Sequence, residues 1–230
     1  MRLAVSITVN DRPEYLGQVI ESWHHVRGID EVPVIFQVEP KSDQCFDMCL
    51  KAGFKKQLVQ LNTTQRGALG NPYYAVESGF SVLTTEFVLL GEDDSVVTAD
   101  ALEFFDFAAR SYRRHEKCLA VCSFEQMSLK QQANLIYPRH YFASVVWGTW
   151  RDRWGEVREQ WSFDYLPAWD QMLLDMVKLT ERYCAFPAIS RSQHIGKYGT
   201  HMPVDQFEVM QAETVHDGSP QNYIAIGGDA

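Results

Sequence analysis

Short apolar runs recur through the first 125 residues, and each is followed by a stretch whose apolar residues repeat at helical spacing. Leu3–Val9 is the first run. After it, Asp11-Arg12-Pro13-Glu14 offers a capping carboxylate and a first-turn proline, with Leu16, Val19, Ile20 and Trp23 along one helical face. Residues 32–38 form a second strand, and Ser42 or Asp43 opens a short helix (Phe46, Cys49, Leu50) that Gly53 stops. Residues 58–61 and 87–91 predict a third and a fourth strand, separated by a helix over 71–82 with Pro72 in its first turn. The fourth run is continuous and apolar, the pattern of a strand buried on both faces. Thr98 then opens a helix carrying Leu102, Phe105, Ala109 and Tyr112, and residues 119–124 form a fifth strand. Repeated units of this kind build an α/β fold: a mostly parallel, right-handed central sheet with helices on both faces and ligands beyond the carboxyl ends of the strands.

From about residue 126 the rhythm changes to a polar connection (126–134), a strand through 141–147, a Trp-rich segment (147–161), a helix over 167–183 and a loop-rich end. No linker rich in Pro, Gly or Ser intervenes, and 230 residues suit one domain of this class. The G-x-G-x-x-G fingerprint, the phosphate-binding G-x-x-x-x-G-K-[ST] loop and the G-x-S-x-G elbow are all missing, which argues against dinucleotide oxidoreductases, P-loop NTPases and α/β-hydrolases. Against 21 Lys+Arg stand 30 Asp+Glu, a net charge of −9, which disfavours indiscriminate binding to nucleic acid or anionic membrane. No run approaches the ~18 apolar residues of a membrane span. The first residues are too short and too polar a stretch for a signal peptide, and the five cysteines are odd in number, so the expectation is an unanchored cytoplasmic protein, bacterial or viral, with reduced thiols. The pairs Cys45/Cys49 and Cys118/Cys122 have no partners that would complete a zinc site.

The fourth strand runs directly into Glu92-Asp93-Asp94. Close like charges repel unless a cation sits among them, so the triplet suggests a hard divalent metal, Mn2+ or Mg2+, held by one or two carboxylates plus phosphate oxygens. A solvated strand exit is the plain alternative.

Asn10-Asp11-Arg12 after the first strand, Glu92-Asp93-Asp94 after the fourth and the later Trp169-Asp170 resemble the motifs of GT-A fold nucleotide-sugar glycosyltransferases. The nearer likeness is to the branch of N-acetylglucosaminyltransferase I and the protein O-mannose N-acetylglucosaminyltransferase: Pro187-Ala188-Ile189-Ser190-Arg191, with Gly196, Gly199 and His201 beyond it, is similar to that branch's Pro-Glu-Ile-Ser-Arg stretch. Trp147-Gly148-Thr149-Trp150 resembles a segment of bacterial family-two-like transferases, and the likeness extends over about residues 3–208.

The resemblance implies a single GT-A (Rossmann-like) domain in which residues 1–125 bind the nucleotide sugar and 126–230 bind the acceptor and supply a catalytic Asp and a lid loop. It implies that Asn10, Asp11 and Arg12 meet the nucleotide, that Glu39 takes the place of an Asp holding the uracil imide, and that Arg66 falls in a donor-contacting segment. Asp94 would ligate the metal, with Glu92 and Asp93 on ribose or metal-bound water. Asp170 matches the base that takes the acceptor proton in an inverting transfer, with Asp164 in reserve. The plain alternatives are a helix cap for Asp11, a surface Arg66 and a helix N-terminal carboxylate for Asp170.

Of the six tryptophans, five lie within residues 147–169. Trp147 and Trp169 are candidates for a substrate wall, and Trp150 and Trp154, four apart on an expected helix, suit core. Ser190, Arg191, His194, Lys197 and His201, with two glycines among them, have the composition of a lid that closes over a diphosphate, and His201 could reach the metal. The expected activity is metal-dependent, inverting transfer of GlcNAc or glucose from a UDP-sugar to a glycan, a small molecule or a hydroxylated base in DNA. A sugar-phosphate nucleotidyltransferase and a non-catalytic nucleotide- or glycan-binding module are the competing expectations.

Overall fold

In the computed structural model, residues 1–129, 132–166, 168–198 and 204–227 are described. The apolar runs of the first half become β1 (Leu3–Val9), β2 (Val34–Val38), β3 (Gln57–Leu61) and β4 (Phe87–Glu92), alternating with α1 (Pro13–His24), α2 (Asp43–Leu50) and α3 (Gly67–Leu83). A short β5 (Ser95–Val97) and α4 (Ala101–Ser111) lead to β6 (Cys118–Cys122). The second half adds β7 (Leu135–Arg139), β8 (Val146–Trp150), α5 (Arg151–Gln160), α6 (Trp169–Leu179), β9 (Tyr183–Pro187), β10 (Ser192–His194), α7 (Val204–Val209) and β11 (Ile224–Ala225).

Among the described residues, one sheet has the order β11-β7-β9-β6-β8-β4-β1-β2-β3, and β5 pairs with β10 in a separate ribbon. β1 to β4 are parallel, as the repeated strand and helix units require. β8 runs antiparallel between β4 and β6, so a strand from the second half is inserted beside the most buried strand of the first. A Cβ at Gly148 would run into the Phe87 ring, which makes glycine the residue that lets β8 lie against β4.

Alternate residues of β4 feed opposite cores. Phe87 and Leu89 pack with α1, α2 and α4, while Val88 and Leu90 pack with α3, α5 and α6. The sheet is therefore covered on both faces, and the polar ends of its parallel strands carry the loops that matter for function.

Several expectations need correction. No side chain caps α1, whose N-cap is Arg12 with Pro13 following, so Asp11 stays exposed without a capping role. α3 begins four residues before residue 71 and takes Pro72 into its interior, because Glu39 accepts the N–H groups of Arg66 (2.9 Å) and Gly67 (2.7 Å) and so satisfies the orphan donors of the first turn. The strand expected through 141–147 starts at Val146, and Trp150 ends that strand instead of lying in a helix with Trp154. β10, β11 and all but the first residue of β9 fall in the end read as loop-rich, Tyr183 of β9 falls at the end of the expected helix, and β7 follows the polar connection where no strand is expected. Those strands are five residues or fewer, too short to show a clear apolar period, and β11 is an edge strand while β10 belongs to the two-stranded ribbon.

Candidate active site

β1 and β4 are adjacent, with Thr8 opposite Glu92, so the segments leaving both strands meet at one edge of the sheet. There Arg12 spreads its guanidinium across two carboxylates, one terminal nitrogen donating to Asp93 Oδ1 and the other to Asp94 Oδ2. Asp93 Oδ2 also accepts the Asn10 N–H at 2.8 Å. From the opposite side β10 presents His194, whose Nε2 lies 3.1 Å from Asp94 Oδ2, and the Ile195 N–H donates to the Asp94 carbonyl at 2.8 Å. Asp93 and Asp94 are buried, at 1% and 2% exposure, so their charges act with little help from water.

The three acids respond differently to this setting. Burial, together with the charges of Asp94, Asp93 and Asp170, pushes Glu92 up to about 8. Burial also holds Asp93 above the usual carboxylate range despite Arg12. Asp94 goes the other way: burial opposes its ionisation, but the hydrogen bond and charge of His194 and the charge of Arg12 keep it below that range. Asp94 is thus the member of the triplet that stays anionic most readily.

Asp94 also fits a cation by geometry. Its Oδ1 is buried and has no hydrogen-bond partner, and Gly196 packs so closely on the site that a Cβ there would run into the Asp94 carboxylate and the His194 ring. No group of three His, Cys, Asp or Glu side chains forms a closed cage among the described residues. His201 lies outside the described residues.

Asp170 stands in the first turn of α6, half-exposed, close enough for its charge to act on Glu92. Its Oδ1 accepts the N–H of Gln171 at 2.9 Å. Asp164 is exposed on the preceding loop. Asn10 and Arg12 therefore come together with Glu92, Asp93 and Asp94, and Asp170 is near enough for its charge to act on Glu92.

Other candidates have structural occupations. Glu39 is buried with its carboxylate committed to α3 and to Asn62 Nδ2 (3.3 Å), which corrects its expected contact with a base. Arg66 is exposed, its guanidinium 4.3 Å above the Tyr74 ring. Trp147 and Trp169 are core residues, not a substrate wall: they are buried, with their rings 5.8 Å apart and Phe142 against both. Ser190 is buried between Ser123 and Ser192. Lys197 pairs with Glu208 at 2.8 Å on the surface.

Arg191 is fully buried. It donates through Nε to Asp100 Oδ2 (2.9 Å), through one terminal nitrogen to Ala133 O (2.9 Å) and through the other to Ile189 O. Asp100 accepts in addition from Thr98 Oγ1 (2.6 Å) and Tyr223 O–H (2.7 Å), with His216 Nδ1 at 3.3 Å. The pair anchors the β5 and β10 ribbon, whose register sets His194 opposite Ser95 beside Asp94. Neither Asp100 nor the contact of His194 with Asp94 carries a sequence signal, since both depend on partners about a hundred residues away.

The sequence matches the GNT-I family over residues 71–211, a span that includes Glu92-Asp93-Asp94, Asp170 and His194. The chain belongs to the GNT-I family. No curated protein matches it. Among solved structures, Staphylococcus aureus TarS (residues 1–349) in complex with UDP is similar, with a TM-score of 0.61 and 16% identity over 84% of this chain and 60% of that one. The mannosyltransferase PcManGT from Pyrobaculum calidifontis, in complex with GDP-Man and Mn2+, has a TM-score of 0.58 and 13% identity over 83% of this chain and 57% of that one. The inositol-1-phosphate CTP transferase from T. maritima has a TM-score of 0.53 and 14% identity over 91% and 95% of the two chains. At these identities the likeness is one of fold, and the chain spans about three-fifths of the length of TarS (1–349) and of PcManGT. This GNT-I family member thus has the nucleotide-sugar-binding fold of GT-A glycosyltransferases. None of its described helices is long and apolar enough to cross a membrane.

Proposed function

We propose that this protein transfers a sugar, GlcNAc or glucose, from a UDP-sugar to an acceptor hydroxyl with inversion at the anomeric carbon. The observation that carries this reading is the placement of buried Asp93 and Asp94 at the carboxyl end of β4, paired with Arg12 and with the charge of Asp170 acting on Glu92, in a chain of the GNT-I family. Residues 1–125 hold the donor and 126–230 receive the acceptor, which is a glycan, a small molecule or a hydroxylated DNA base.

Arg12 binds the diphosphate, its planar fork being suited to phosphate oxygens. Asn10 and Asp93 fix the position of Arg12 through the hydrogen bonds described above. Asp94 and His194 line the place of the cation, Mn2+ or Mg2+, which when bound would offset charge on the departing nucleoside diphosphate. Asp170 accepts the proton of the attacking hydroxyl, a transfer that a single positioned carboxylate accomplishes. Glu92, its carboxyl pushed up by burial and by the neighbouring acids, lies toward the donor's ribose or the metal-bound water.

Incubation with a panel of nucleotide sugars and Mn2+, with and without acceptor mixtures, should release UDP from UDP-GlcNAc or UDP-glucose in a metal-stimulated manner. No release from any donor would overturn the reading. Pyrophosphate release from CTP or UTP with a sugar phosphate would replace it with nucleotidyl transfer.

A further inference from the structure

The ion pair between Arg12 and Asp94 is incomplete on both sides. Arg12 Nε is buried without a hydrogen-bond partner, and so is Asp94 Oδ1. Buried polar atoms in folded proteins are nearly always satisfied, so two orphans in one ion pair need a reason. The chain saturates the comparable Arg191 and Asp100 pair, where all three guanidinium nitrogens and both carboxylate oxygens have partners. The two orphans also require opposite things: Arg12 Nε lacks an acceptor, and Asp94 Oδ1 lacks a donor or a cation.

We infer that the Arg12 and Asp94 pair is a placeholder that a nucleoside diphosphate and a divalent cation jointly replace, making Arg12 the residue that couples the binding of one to the other. The inference rests on the donor-site reading above. A cation approaching Asp94 alone meets a carboxylate already carrying the Arg12 guanidinium and His194 on Oδ2, and like charges sharing one oxygen repel. A diphosphate approaching alone must draw Arg12 off Asp94 and leave that carboxylate facing phosphate oxygens. Whichever arrives first breaks the pair, and the second finds it already broken. Asp93 serves as the pivot, because it holds the other guanidinium nitrogen and keeps the Asn10 N–H on its second oxygen. Thermodynamic linkage makes the effect reciprocal: UDP strengthens metal binding by the factor by which the metal strengthens UDP binding.

Binding of Mn2+, followed by loss of the free-ion signal in electron paramagnetic resonance, tests this on the wild type, Arg12→Gln and Arg12→Lys, each with and without saturating UDP. In the wild type, UDP should tighten Mn2+ binding by about tenfold or more, within the usual range of coupling between sites. Without UDP, Arg12→Gln should bind Mn2+ several-fold tighter than the wild type, and its gain from UDP should shrink. Arg12→Lys keeps the charge but loses the fork, and should fall between the two. A metal-to-phosphate contact acting alone would also make UDP tighten Mn2+ binding, but it would leave the UDP-free affinity of Arg12→Gln unchanged. Equal or weaker UDP-free binding by Arg12→Gln and Arg12→Lys therefore overturns the inference, while a wild type that binds neither UDP nor Mn2+ overturns the donor-site reading with it.

Discussion

Two clusters in this protein are built from the same three residue types and differ in how completely they are satisfied. Arg191, Asp100 and His216 form a closed set: both members of the ion pair are fully buried, and Thr98 and Tyr223 fill the remaining positions on the carboxylate. Arg12, Asp94 and His194 form an open set, with the Arg12 side chain 26% exposed and one buried atom unpartnered on each side of the pair. A desolvated ion pair is tolerated inside a protein only when hydrogen bonds complete it, as at Asp100. At Arg12 and Asp94 they do not, and both partners keep a free position facing the proposed donor site. Buried orphans also occur singly in the scaffold, as at Arg153 Nε and Trp23 Nε1, but the Arg12 and Asp94 pair has one on each partner.

The comparison can be broken at several points. The largest expected effect is at the closed cluster: Arg191→Met leaves Asp100 buried without its cation and should cost about 3–5 kcal/mol of stability. Denaturant unfolding would measure it, and Mn2+ should restore none of the loss, whereas any stability lost by Arg12→Gln should return with Mn2+ and UDP. A change below about 1 kcal/mol would remove Arg191 from the scaffold. Next, Asp170→Asn should lower kcat by about 10²–10⁴ while UDP affinity stays the same, as expected when only a proton acceptor is lost. Turnover retained in the variant would end its role as base.

A smaller effect sharpens the geometry of the open cluster. In Gly196→Ala the new Cβ would press on Asp94 and His194, and the overpacking should weaken Mn2+-dependent UDP binding by roughly 1–3 kcal/mol, readable by calorimetry. The smallest effect is a pH dependence of the closed cluster. Burial and the charge of Arg191 hold His216 below its ordinary value of 6.5, so the fold favours its neutral form. Its contribution is complete above 6.5 and is lost as the pH falls from there through the lower folded value, because the unfolded chain then binds the extra proton. Thermal melts of the wild type should lose more stability on acidification across that window than those of His216→Gln. Identical slopes would show that His216 does not titrate with folding.

Much of the sheet was legible because strands buried on both faces have no polar alternation to confuse them, as in β4, and because the amphipathic α1 and α4 repeat at 3.6 residues. The acidic triplet was legible for the same reason, following directly on an apolar run. The residues between β9 and α7 were misleading. Their glycines and cations suggested a lid, yet Ser190 and Arg191 are among the most buried polar residues of the protein. Composition reports the charge of Arg191 but not Asp100, which neutralises it from another part of the chain. The tryptophans misled in the same way, since an indole that could face a sugar packs equally well against Phe142.

By itself the sequence determined the alternation of strands and helices, the placement of three acids at the end of the most apolar strand, and membership of a family that handles such sites. Those properties are local, or are carried by short motifs in order. Only the tertiary structure decided which cation answers which carboxylate. The exit of β1 lies beside the exit of β4, which gives Asp93 and Asp94 to Arg12, while the β5 and β10 ribbon adds His194 to Asp94 and leaves Arg191 to Asp100. Contacts of this kind depend on loop closure over roughly eighty to a hundred residues, whose entropic cost is set by the whole fold and is invisible in any local window.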